Sequence, residues 1–230
     1  MIFSRKKIQR FLTKLWLRPI KVFLFHQVSE SFDERTMKIG DWTEIGRFKR
    51  KINTLRKEYH FISLPDAFIK LKKDVFRFRK YAVLTSDDGW ASLTNILLWL
   101  DKESIPITLF VNPAYLDGMH FREKDTERYL LLGDLKAICS KYPLVSIGLH
   151  GWEHIRVTNL NETDFRDDLN KSLEVLMQLP NFIPFFGYPY GDYNEMNETV
   201  LKEYNLVPVL VDGGNNINNP THIHRVLIDG

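Results

Sequence analysis

Four short stretches of this sequence gather side chains that can move protons or hold a cation: Phe25-His26-Gln27-Val28, Thr85-Ser86-Asp87-Asp88-Gly89, His150-Gly151-Trp152-Glu153-His154 and Tyr188-Pro189-Tyr190-Gly191. Adjacent carboxylates repel each other unless a cation or a donor sits between them, and one metal ion resolves that repulsion. On an extended chain neighbouring side chains point in different directions, so one aspartate can ligate while the other faces a substrate. Taken alone, Asp-Asp-Gly is more often a turn with a helix cap. His150 and His154 are four residues apart, which on a helical turn puts both imidazoles on one side, a spacing that metal sites use repeatedly. A lone pair of this kind is more often structural, but a carboxylate from another strand completes three protein ligands. With open positions for water, that set describes a catalytic, zinc-like centre, because structural zinc sites are closed and rich in cysteine. Imidazole and carboxylate discriminate poorly among metals, so the expectation is one divalent ion, zinc first, with cobalt, nickel or iron also accommodated.

The elements that must position these groups alternate. Short apolar, β-branched or aromatic runs at 22–28, 60–64, 81–85, 107–111, 145–149, 182–187 and 206–211 lack polar alternation, which suits strands buried on both faces. Helical patterns lie between them at 42–59, 65–72, 92–102, 132–141, 162–178 and 194–203, and the polar stretch 115–129 reads as one long loop. Strand-helix alternation predicts a parallel (β/α) architecture. All four stretches above fall at strand ends, and in such sheets the loops at the C-terminal ends of the strands converge on a common rim where active sites gather.

Composition narrows the classes further. A formal net charge of +3, from 32 basic and 29 acidic side chains, is too balanced for a nucleic-acid-binding surface, and no nucleic-acid partner is expected. The single cysteine, Cys139, excludes an internal disulfide framework. Residues 1–20 form a unit of their own, in which Arg5, Lys6, Lys7, Arg10, Lys14 and Arg18 interleave with Ile8, Phe11, Leu12, Leu15 and Trp16 at three- and four-residue steps. That is a basic amphipathic helix, with its apolar stripe laid either on the domain or on an anionic membrane surface. Charges interrupt every apolar run, so it is neither a secretory signal nor a span. Residues 21–230 are then one domain, expected in the cytoplasm or peripherally on the inner membrane face.

The motifs together resemble the polysaccharide deacetylases, the family 4 carbohydrate esterases. Thr85-Ser86-Asp87-Asp88-Gly89 resembles the family's Thr-Phe-Asp-Asp-Gly, His150-Gly151-Trp152-Glu153-His154 its second motif, and Phe186-Gly187-Tyr188-Pro189-Tyr190-Gly191 its third, in order and over roughly residues 21–225. The resemblance implies an α/β fold, a distorted (β/α) barrel of about seven strands. It implies Asp87 as general base, Asp88, His150 and His154 as metal ligands, and the backbone amide of Tyr190 against the oxyanion. The family's Leu-x-His acid near the C-terminus has no clean copy here. His26 is similar to the histidine of Tyr-His-x-Val in relatives akin to poly-N-acetylglucosamine deacetylases, whose permuted motifs place the acid early, and Arg225-Val226-Leu227-Ile228 fits the same version. His222 and His224 remain the other candidates for the acid, and a core histidine the other reading of His26.

Two departures matter. Ser86 stands where the family has an aromatic residue, and no Gly-x-Ser-x-Gly elbow makes it a nucleophile. Gly187 stands where the third motif has an arginine that orients the base, so Arg225 is expected to supply that charge. Trp90, Trp152, Tyr188 and Tyr193 are either stacking faces for sugar rings or core. The predicted function is removal of acetyl groups, N-acetyl before O-acetyl, from an acetylated sugar, oligosaccharide or polysaccharide, with a lipid-linked saccharide suited to the basic N-terminus. The alternatives are a silent carbohydrate-binding member of the same fold and a different metallohydrolase.

Overall fold

Strands without polar alternation need cover on both faces, and a closed parallel barrel wrapped by helices provides it. The computed structural model describes residues 18–30, 42–73, 79–120, 128–217 and 220–228. Its strands are β1 (Lys21–Phe25), β2 (Gln27–Ser29), β3 (Trp42–Glu44), β4 (His60–Phe61), β5 (Tyr81–Ser86), β6 (Ile107–Val111), β7 (Val145–Leu149), β8 (Phe182–Gly187), β9 (Val207–Val211) and β10 (Ile223–Leu227). The order β1-β10-β9-β8-β7-β6-β5 returns to β1 through a parallel β1–β5 pairing, so seven parallel strands close a barrel. Strand β4 pairs with the first residues of β5, on the edge that β6 takes further along. Strands β2 and β3 form a separate parallel pair.

Helices α1 (Ile45–Leu55), α2 (Leu64–Lys73), α3 (Thr94–Lys102), α4 (Leu132–Lys141), α5 (Glu162–Leu176) and α6 (Glu195–Glu203) follow the expected pattern. The predicted helix at 42–59 begins later because Trp42–Glu44 pairs with β2 and the Glu44 carboxylate caps α1 at the Gly46 and Arg47 amides. The predicted strand 22–28 is two strands, broken at His26, and 60–64 shortens because Leu64 opens α2. Strand β10 was absent from the sequence expectation. Of the expected N-terminal helix, residues 1–17 lie outside the described residues. Residues 18–20 are not helical, since Ile20 pairs with Asn216 beside the start of β1. Of the expected loop at 115–129, residues 121–127 likewise lie outside the described residues, and its first residues continue a 3-10 turn at Pro113–Asp117. No helix among the described residues is long and apolar enough to cross a membrane.

The period of two along each strand sorts its side chains into two cores. Phe23, Phe25, Leu84, Ile107, Leu109, Ile147, Leu149 and Phe186 face outward against the helices. Val22, Val83, Phe110, Phe185, Val209 and Ile223 fill a second cluster, which Leu64, Ala67 and Leu71 of α2 join. The same inward alternation carries Thr85 and Asp87 above Val83, His150 above Gly148, and Arg225 above Ile223. The barrel interior is therefore apolar low down and charged at the C-terminal rim.

Phe110 occupies the middle of that interior, and small neighbours make room for it. A Cβ on Gly148 would sit 2.6 and 2.7 Å from two Phe110 ring carbons, and one on Gly187 would sit 3.3 Å from the same ring. Gly148→Ala should therefore destabilise the fold by about 1–3 kcal/mol through overpacking, with Phe110→Leu in the same chain recovering part of the loss in urea unfolding. Simple additivity of the two substitutions would refute the contact.

Candidate active site

Asp87 and Arg225 form the centre of the charged layer. Arg225 is fully buried and Asp87 is 2% exposed. The guanidinium donates from Nη1 to Asp87 Oδ1 at 2.6 Å and from Nη2 to Oδ2 at 2.8 Å, a bidentate pair. Its Nε donates to the Leu210 carbonyl at 3.3 Å, and its Cζ lies 5.1 Å from the Phe110 ring centroid. Burial alone raises the Asp87 carboxyl, but Arg225, with His150 and His26 adding to it, outweighs burial and holds the group below its ordinary value. Gly187 leaves no room for the arginine expected at its position, since even a Cβ there would press on Phe110 and lie 3.3 Å from His150 Nδ1.

Beside this pair lie Asp88, His150 and His154, whose ligand atoms are all within 4.8 Å of one another. Asp88 Oδ1 is 3.5 Å from His150 Nε2 and 3.1 Å from His154 Nε2. His150 Nδ1 donates to the Gly187 carbonyl at 2.7 Å, which fixes the tautomer and turns the Nε2 lone pair toward the cluster. Burial lowers the His150 imidazole to about 4, against the pull of Asp87, so it stays neutral and able to ligate. Trp90 Nε1 donates to Asp88 Oδ2 at 3.2 Å. Two imidazoles, one with its lone pair turned toward the cluster, and a carboxylate are a donor set that fits one divalent ion.

The local conformations differ from the sequence expectation. The two histidines are not on a helical turn: residues 150–156 are irregular, and left-handed backbone at Gly151 (φ 72°) and His154 (φ 56°) brings the imidazoles together. Nor is the aspartate pair extended, because Asp88 is left-handed (φ 72°) and turns back over the barrel while Asp87 continues the strand's inward alternation. Tyr190 is also left-handed (φ 61°) in the turn Pro189–Gly191.

Parallel register places His26 next to Asp87. Phe25 pairs with Ser86, the Asp87 amide donates to the Phe25 carbonyl at 3.3 Å, and the fully buried Ser86 hydroxyl donates to the His26 carbonyl at 2.9 Å. Ser86 is thus a tie between β1 and β5. His26 Nδ1 is buried without a hydrogen-bond partner. The C-terminal histidines are engaged elsewhere. His224 alternates away from Arg225 and meets Asp212 at 2.8 Å, while His222 is held by Glu198. Of the aromatics left open between sugar platform and core, Trp90 (4% exposed) is stacked on Tyr129 and Tyr188 (1%) is packed between Phe186 and Tyr193, so both side chains lie in the core. Tyr193 and the Tyr190 side chain are exposed, Trp152 is half-buried, and Arg156 covers the Tyr190 ring at 4.4 Å.

Sequence reasoning missed Asn112 and Asp168, both buried beside the His150–His154 loop. Asn112 directly follows β6, at a strand end like the residues that were found. Asp168 sits on the inward stripe of α5 with Phe165, Leu169 and Leu176, and a charged side chain on an apolar stripe was its signal. Burial pushes its carboxyl up to about 6, although the Trp152 amide donates to it.

A family model described as polysaccharide deacetylase matches residues 77–209. No curated protein matches the sequence. Among solved structures, IcaB from Ammonifex degensii is 20% identical with a TM-score of 0.77, over 91% of this chain and 91% of that one. The deacetylase PplD of Streptococcus pyogenes, in complex with acetate, is 19% identical with a TM-score of 0.76, over 92% of each chain. A de-N-acetylase from Aggregatibacter actinomycetemcomitans is 14% identical with a TM-score of 0.75, over 90% of this chain and 94% of that one. At these identities the likeness is one of fold.

Because the folded Asp87 carboxyl lies below its unfolded value of 3.8, its pairing adds stability that is fully present above that value and is lost as pH falls through the folded pKa. Arg225→Met should cost about 3–5 kcal/mol at pH 7 by stranding a buried carboxylate. The deficit should shrink on acidification below the unfolded value and in the double variant with Asp87→Asn. Equal losses at pH 7 and pH 3 in urea unfolding would contradict the pairing.

Proposed function

We propose, from the premise that the chain belongs to the polysaccharide deacetylase family, that it removes acetyl groups from an acetylated sugar, oligosaccharide or polysaccharide with one divalent ion held by Asp88, His150 and His154. The observation that carries this reading is an ionised carboxylate, Asp87, locked by a buried arginine within 3.8 Å of the nearest imidazole nitrogen of that donor set. Zinc suits the donors first, and cobalt, nickel or iron can replace it.

A divalent ion in this cradle supplies Lewis-acid chemistry, acidifying a water and polarising the acetyl carbonyl. Asp87 takes the water's proton, and Arg225 keeps the carboxylate charged and aimed while it waits. The Tyr190 backbone amide, on its left-handed turn at the rim, is offered to the developing oxyanion. His26 then gives a proton to the leaving nitrogen, without which a sugar amine leaves very poorly. We favour His26 over His222 and His224 because it adjoins Asp87 across β1 and β5, whereas the other two are engaged with Glu198 and Asp212. A need for that acid is also why N-acetyl substrates are favoured over O-acetyl ones. Tyr193 and Trp152 are the remaining candidates for contact with sugar rings. The basic, amphipathic composition of residues 1–20 supports a lipid-linked saccharide as substrate and contact with an anionic membrane.

The test is acetate release from N-acetylglucosamine oligomers and from an activated O-acetyl ester by chain loaded with zinc, cobalt or nickel. Asp87→Asn should lower both rates by about a hundredfold to ten-thousandfold. His26→Ala should lower amide hydrolysis much more than ester hydrolysis, because a good leaving group needs less protonation. Acetate release that survives Asp87→Asn would overturn the mechanism, and sugar binding without any release would favour the silent binding member instead.

A further inference from the structure

We infer that Asn112 and Asp168 are positioning residues for the metal cradle, holding from outside the irregular loop on which His150 and His154 stand; this rests on the reading that Asp88, His150 and His154 bind the metal. A helix would satisfy its own backbone and present the two imidazoles on one face. The loop has no helix, so its peptide groups need partners from elsewhere, and each one left buried and unpaired would cost stability.

Those partners come in series from the segment after β6. The His150 amide donates to the Val111 carbonyl at 3.1 Å, and the Asn112 side-chain amide donates to the carbonyls of His150 and Gly151. The Ala114 amide donates to the Trp152 carbonyl at 3.2 Å, and the Tyr115 hydroxyl to that of Glu153 at 2.8 Å. Four consecutive carbonyls, 150 to 153, are thus received by residues 112 to 115. From the other side, the Trp152 amide donates to Asp168 Oδ2 at 3.0 Å.

Between the two side chains lies the left-handed turn at Gly151. A Cβ there would be 3.7 and 3.8 Å from the Asp168 oxygens and 3.5 Å from Pro189. The carboxylate therefore sits against the very residue whose backbone reverses the chain between the two ligands. His154 is itself a non-glycine left-handed residue, a conformation that persists only where its surroundings impose it. With Asn112 1% exposed and Asp168 9% exposed, neither has solvent to replace its partner. Release of either end lets the imidazoles drift from Asp88, and the ligand set loses its geometry before it loses any ligand.

Zinc affinity of the full chain, titrated against a chromogenic chelator, tests this, with the visible bands of the cobalt-loaded protein as a second readout. Asn112→Ala and Asp168→Ala should each raise the zinc Kd by about tenfold or more and alter the cobalt bands, while the metal-free variants still unfold cooperatively. Asp168→Asn, whose amide oxygen can still accept from Trp152, should bind close to wild type. Wild-type zinc affinity in both alanine variants would overturn the inference, and so would an Asp168→Asn variant as weak as Asp168→Ala. If the alanine variants do not fold, Gly151→Ala strains the same turn with both anchors present; it should weaken zinc binding, and wild-type affinity there would also overturn the inference. Asp88→Ala separates this from the underlying reading: if it binds zinc like wild type, the ligand assignment fails, whereas its loss beside intact alanine variants refutes only the positioning role.

Discussion

The buried pair of Arg225 and Asp87 is the constraint around which the barrel interior is arranged. A guanidinium with no exposure and a carboxylate at 2% cannot be solvated by water, so every donor and lone pair must be met by protein. Two parallel hydrogen bonds, the Leu210 carbonyl and the face of Phe110 meet most of that demand. The ring of Phe110 in turn requires that β7 and β8 pass it with glycine, at Gly148 and Gly187. Barrel closure follows the same logic: β10 must lie between β9 and β1 for Arg225 to reach across to the end of β5.

Above that layer the rim is built from conformations that ordinary residues avoid. Asp88, His154 and Tyr190 are three of the five non-glycine residues with positive φ among the described residues, and Gly89, Gly151 and Gly191 stand beside or near them. Each comes within a few residues of the end of a parallel strand, where the chain must turn sharply to bring a side chain or an amide back over the barrel mouth. A regular helix or strand would carry those groups away along its axis. The strain is sustained by neighbours: the Trp90 indole on Asp88, the Gly187 carbonyl on His150 and the post-β6 segment on the histidine loop.

The sequence made the outer frame legible because both-face burial leaves unbroken apolar runs, and β6, β7 and β8 were read to the residue. Strand β10 escaped for the same reason in reverse. Its run, Ile223-His224-Arg225-Val226-Leu227, is interrupted by the arginine that the barrel interior requires, and pattern alone cannot distinguish a charge facing a buried partner from one facing water. The pair four residues apart picked out two histidines that the fold does bring together, but with the wrong conformation, since spacing does not tell a helical turn from a loop with two left-handed residues. Trp90 and Tyr188 stayed open between platform and core because an aromatic near a motif has no mark of which way it faces. Asn112 and Asp168 lacked any motif, and only their positions, a strand end and an apolar helix stripe, could have raised them.

That the arginine comes from β10 and not from position 187 follows from what a buried carboxylate requires. A carboxylate general base needs a cation that keeps it ionised and two donors that fix its plane, and neither requirement specifies the strand from which the cation arrives. At position 187 a side chain would have to displace Phe110 and the imidazole whose Nδ1 donates to the Gly187 carbonyl, so an arginine there would disturb His150 in order to reach Asp87. From β10, with only β1 between it and β5, the guanidinium approaches Asp87 over the Phe110 face and leaves His150 undisturbed. The first strand is thereby drawn into the site as well, because β1 lies between β10 and β5 and ends at His26 beside Asp87. The glycine at position 187 and the histidine at the end of β1 are thus connected, since both follow from building the surroundings of Asp87 from the strands that close the barrel.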